Sequence, residues 1–60
     1  GAKIKNSIIG DNVIIEQNST VENSVIWSNA QVGVNTKIID SVIAYNLKIR
    51  ENTLIENNYV

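Results

Sequence analysis

Along this chain an aliphatic residue returns at Ile4, Ile9, Ile15, Val21, Ile26, Val32, Ile38, Ile43, Ile49, Ile55 and Val60, in steps of 5, 6, 6, 5, 6, 6, 5, 6, 6 and 5. Three short segments therefore sum to 17 residues, and the order of the steps never slips. Self-similarity at a fixed period constrains a fold more tightly than composition does, because each unit must bury its apolar side against the next copy. Written at period 17, the sequence falls into three columns. Ile4, Val21, Ile38 and Ile55 form the first; Ile9, Ile26, Ile43 and Val60 the second; Ile15, Val32 and Ile49 the third. Three columns per circuit predict three flat faces, each a ladder of short parallel strands about 4.8 Å apart. The expected architecture is all-β: a single-stranded parallel β-helix shaped as a triangular prism, with about three and a half coils of 17 residues over residues 1–60.

The residue types agree with that shape. Eleven Ile and seven Val stand against two Leu, and there are ten Asn and no Pro. Ile and Val suit strands, whereas Asn suits turns. The asparagines also keep the period. Asn12, Asn29 and Asn46 follow the second column by three residues, and Asn18, Asn35 and Asn52 follow the third in the same way. The five-residue segment carries Asn6, Asn23, Asp40 and Asn57, followed by Ser7, Ser24, Ser41 and Asn58. Asn tolerates positive φ best among non-glycine residues, so these ladders mark the corners. The residues four places after each column position are expected to point inward as well: Ile8, Val13, Ser19, Val25, Ala30, Thr36, Val42, Leu47, Thr53 and Tyr59. Tyr59 is oversized for that set and marks a terminal, uncovered coil.

Few residues here can do chemistry. There is no Cys for a disulfide or thiolate and no His for a metal site or a general base near neutral pH. Asp11, Glu16, Glu22, Asp40, Glu51 and Glu56 are scattered over corners and faces with no convergent pair. The glycines form no phosphate-binding loop. A net charge of −1 lacks the basic excess that nucleic-acid binding needs, and no apolar run approaches the ~18 residues of a membrane-spanning helix. No catalytic, cofactor or metal residue is assigned. Ser19, Thr36 and Thr53 form a hydroxyl ladder in the inward set, so they belong to the core rather than to an outward array.

What remains is apolar surface. Trp27 follows Ile26 and should point outward between two small ladder neighbours, Gly10 and Ala44, which leave room for the indole along the face. Val34, Ile39, Tyr45 and Leu54 also fall at outward positions, though not all on one face. A Trp-centred patch favours a contact surface, and these five residues are the candidate interface.

The recurring order of aliphatic, two variable, Asn or Ser, small and variable resembles the hexapeptide repeat of left-handed parallel β-helices, from Ile4 to Val60. The left hand is implied by that resemblance, since ordinary parallel crossovers are right-handed. Gly, frequent in the family just after the aliphatic residue, stands there only at Gly10 and Gly33. More narrowly, NSVIWSNAQVG (23–33) and IIDSVI (38–43) resemble the C-terminal β-helix of sugar-1-phosphate nucleotidyltransferases, of the mannose-1-phosphate guanylyltransferase and glucose-1-phosphate adenylyltransferase type. The resemblance implies a non-catalytic domain that serves oligomerisation and domain packing in a cytoplasmic enzyme. Mg²⁺ and a nucleoside triphosphate would be bound only by the parent's upstream catalytic domain. The expected partners are that domain or further copies of the chain, with no nucleic acid and no membrane. Residues 1–60 are then expected to be one β-helix domain cut from a longer chain. The alternative is a segment of a hexapeptide acyltransferase whose catalytic His lies outside it.

Overall fold

A column residue can be buried only if its neighbour one circuit away covers it, so the coil has to close after 17 residues. In the computed structural model, which describes Gly1–Val60, it does so through ten strands and no helix. The strands are β1 (Lys3–Lys5), β2 (Ile8–Ile9), β3 (Ile14–Ile15), β4 (Thr20–Glu22), β5 (Val25–Ile26), β6 (Gln31–Val32), β7 (Lys37–Ile39), β8 (Val42–Ile43), β9 (Lys48–Ile49) and β10 (Leu54–Glu56). They stack into three parallel sheets: β1-β4-β7-β10 is the first face, β2-β5-β8 the second and β3-β6-β9 the third. Register is that of the sequence columns, with Ile4 opposite Val21, Val21 opposite Ile38, and Ile38 opposite Ile55. The result is a β-solenoid of about three turns, with principal extents of 21 × 20 × 18 Å.

The interior is the three columns. Val21, Ile26, Val32, Ile38 and Ile43 are wholly buried, with Ala30, Ile49 and Ile55 completing the core and Ile9, Val13, Ile15 and Leu47 packed against it. The corners are built as the asparagines require. Positive φ, between 51° and 64°, occurs at Asn6, Asn12, Asn18, Asn23, Asn29, Asn35, Asp40, Asn46, Asn52 and Asn57. Those ten residues are the three corner ladders, and no glycine shares the conformation. Asn and Asp accept it because a short polar side chain can bond locally in the left-handed region.

The inward set needs one correction. Ile8, Val25, Val42 and Tyr59 face outward, not inward: Ile8 and Tyr59 are exposed and the two valines half-buried. Side chains alternate along a strand, so the residue directly before a buried column residue must point away from the core. The second inward position is thus found by counting two back from the next column. On the two six-residue sides this coincides with four after the previous column, and Ser19, Ala30 and Thr36 are buried there. On the five-residue side it falls instead on the serine of the NS or DS phrase, and Ser24 and Ser41 are buried.

Those serines stitch the coils together. The Ser24 N–H donates to Ser7 Oγ (3.2 Å), the Ser41 N–H to Ser24 Oγ (3.1 Å), and the Asn58 N–H to Ser41 Oγ (3.2 Å). Each hydroxyl in turn donates to the carbonyl two residues back: Ser7 to Lys5, Ser24 to Glu22 and Ser41 to Ile39. A second ladder does the same at the third corner. There the Thr36 N–H donates to Ser19 Oγ, the Ser19 hydroxyl to the Gly33 carbonyl (2.6 Å), and the Thr36 hydroxyl to the Arg50 carbonyl (3.1 Å). No buried side-chain polar atom lacks a partner. A hydroxyl is tolerated in this core because it accepts from a backbone N–H that has no carbonyl partner at the corner and donates its own hydrogen to a nearby carbonyl.

Candidate functional site

The second face carries the most apolar concavity of the molecule. β5 sets Ile26 inward, so Trp27 leaves the strand on the outside, where its N–H donates to the Ile43 carbonyl one coil on. Register places Gly10 one coil before Trp27 and Ala44 one coil after it. The indole borders an open groove of about 290 Å³ lined by Trp27, Val42, Ala44, Tyr45, Tyr59 and Val60, all apolar or aromatic. Trp27 is 53% exposed, Tyr45 68% and Tyr59 85%. Tyr59 reaches the groove because the chain adds one last rung to this face, a parallel bridge to Val42, with the Val60 N–H donating to the Val42 carbonyl.

The flatness of the face at its other end has a steric origin. A Cβ added at Gly10 would lie 2.6 Å from the Ser28 backbone nitrogen and 2.9 Å from Ser28 Oγ. The next coil presses on Gly10 closely enough that no side chain fits, and the Asp11 N–H donates to that same Ser28 Oγ.

Of the five candidate interface residues, the structure brings Trp27 and Tyr45 together in the groove. Ile39 lies half-buried in β7 and Leu54 exposed in β10, both on the first face. Val34 sits at the corner after β6, on the way out of the third face, with its carbonyl accepting from the Asn52 N–H. Val42, Tyr59 and Val60 were not among the five, although they line the groove. Strand alternation finds Val42 and Tyr59, on the outer side of the second column. Val60, expected inward as the last member of that column, is instead 43% exposed at the open end and borders the groove.

Nothing else converges. No group of three or more Asp and Glu side chains is placed to hold a metal ion. Lys5 and Glu22 are cross-strand neighbours in β1 and β4, at the solvated surface where such pairs contribute little. A smaller polar hollow at the open N-terminal end is lined by Gly1, Lys3, Asn18, Ser19 and Thr20, and the Ser19 hydroxyl is already engaged with the Gly33 carbonyl. The arrangement can therefore cover or be covered, through shape and apolar area, and has no assembled acid, base or nucleophile.

Comparison with curated proteins gives no match, and comparison with solved structures gives none either. The family model described as the GlmU-like C-terminal hexapeptide matches residues 1–59.

Proposed function

This chain belongs to the GlmU-like C-terminal hexapeptide family, and from that membership we propose that it is the non-catalytic β-helix domain of a sugar-phosphate nucleotidyltransferase, serving oligomerisation and domain packing. The observation that carries the reading is the open apolar groove around Trp27, on a scaffold whose carboxylates never converge. Exposed aromatic side chains that cluster at a concavity are the usual anchors of protein contacts, and Trp and Tyr dominate such anchors energetically. A domain of this kind contributes rigidity and surface. Its parallel ladders fix the backbone of the face, so only side chains remain to be ordered when a contact forms.

The test is sedimentation equilibrium on the 60-residue chain, wild type beside Trp27→Ala, with circular dichroism on both. The expected result is a folded, self-associating wild type and a folded variant whose association is at least ~10-fold weaker, as for loss of a contact anchor. A folded wild type that stays monomeric at every concentration, unaffected by the substitution, sinks the assembly reading.

A further inference from the structure

The three faces show solvent quite different side chains. On the first, the outward positions beside the buried column include Lys3, Lys5, Glu22, Lys37 and Glu56, and on the third they include Glu16, Lys48 and Arg50. On the second face the residue before the column is Ile8, Val25, Val42 or Tyr59, and the residue after it is Gly10, Trp27 or Ala44. No charged side chain stands at any of these positions. Asp11 and Asp40 are held off on the flanking corners, giving an apolar centre with a polar rim.

We infer that this uncharged second face is a self-complementary surface that takes a second copy of the chain, face to face, with the two prism axes antiparallel. The inference rests on the assembly reading above and names both its surface and its partner. A two-fold contact requires the same patch on both sides, with residue i meeting j and j meeting i. A two-fold axis lying along the strand direction, between the levels of β5 and β8, exchanges the coils in that way. It sets Val25 against Val42 of the partner copy, Trp27 against Ala44 of the partner copy, and Ile8 against Tyr59 of the partner copy. The bulkiest residue of the face thus meets one of its smallest, and the two valines fill the centre.

Charge and area point the same way. Pairing either of the other faces would strip water from lysines, arginine or carboxylates, whereas this face has no ion to desolvate. Trp27, Tyr45 and Tyr59 are 53, 68 and 85% exposed. At about 150–250 Å² for a buried aromatic, they offer on the order of 300–500 Å² per copy. Covered completely, and with Ile8 and the valines added, these side chains bring a pair of copies to at most the ~1,000 Å² total at which a specific contact begins. That area corresponds to a reversible dimer rather than an obligate one.

A charge swap across the proposed axis tests it. Val25→Lys and Val42→Glu each place an unpaired charge at the centre of the contact, so each variant alone should dimerise at least ~10-fold more weakly than wild type in sedimentation equilibrium. An equimolar mixture of the two should regain association, because the lysine introduced in one copy then meets the glutamate introduced in the other. Wild-type association that survives unchanged in both single variants, or a mixture no tighter than either alone, overturns this face while leaving assembly through another surface intact. A wild type that never associates overturns the assembly reading as well. If circular dichroism shows that either valine variant has lost its strands, Ile8→Glu takes over, since Ile8 is 68% exposed and faces Tyr59 of the partner copy in the pairing. Unchanged association in folded Ile8→Glu overturns the inference equally.

Discussion

Ile4 and Ile38 hold the same place in the same column, yet Ile4 is 50% exposed while Ile38 is wholly buried. Both are Ile, both lie on the first face, and both pair in register with the coil above. What differs is the coil below. Ile38 has Val21 beneath it and Ile55 above, whereas Ile4 has only Val21. Burial in a solenoid thus depends on the stack as well as on the residue, and the two ends are not equivalent: Ile55, with only Ile38 beside it, is still just 7% exposed. The polar ladders show the same gradient: Ser24 and Ser41 are buried, and Ser7, their equivalent in the first coil, is only partly covered.

The sharpest way to break this comparison is to delete the same atoms at both levels. Ile38→Ala or Ile26→Ala should cost about 2–5 kcal/mol, because the cavity left among fully packed neighbours cannot collapse. In a chain this small that is enough to abolish the strand signal in circular dichroism, or to move the urea midpoint to near zero. Ile4→Ala, at the open end, should cost under ~1 kcal/mol, as befits a side chain already half in water. Equal losses at the two levels would mean that the first coil is covered in solution by something else.

Next in size is the serine stitch. Ser24→Ala removes the acceptor of the Ser41 N–H inside the core, and a buried donor left unpaired costs about 1–3 kcal/mol. Ser41→Ala should behave alike towards the Asn58 N–H, with a smaller loss because Asn58 lies at the exposed last coil. Urea unfolding of the two variants side by side sharpens the gradient between central and terminal coils. The corner asparagines come last. Asn29→Ala forces an alanine to φ near 64° and should cost about 1–2 kcal/mol, whereas Asn29→Gly, free of the Cβ clash, should be close to neutral. An alanine as well tolerated as glycine would mean that the corner relaxes out of the left-handed region.

The fold was legible where residue type and backbone requirement coincide. Ile and Val at an unbroken 17-residue period locate the three columns, and all ten corner residues are Asn or Asp because the corner needs positive φ. The inward residues were legible only on the six-residue sides. At Ile8, Val25 and Val42, aliphatic character points to the core while strand alternation points to solvent, and alternation wins because a strand cannot turn two consecutive side chains inward. The candidate site was half visible. Trp27 announces itself as a large residue between Gly10 and Ala44, but its grouping with Tyr45, Tyr59 and Val60 depends on how the last corner and the final bridge to Val42 aim those side chains.

By itself the sequence determined the period, the three parallel ladders, the register and the corners, since each follows from local spacing repeated without error. Only the tertiary structure decided which apolar side chains close the groove, which serines are buried, and how far each coil is covered. These depend on what lies one circuit away, and that distance is set by closure of the coil and not by any single stretch of chain.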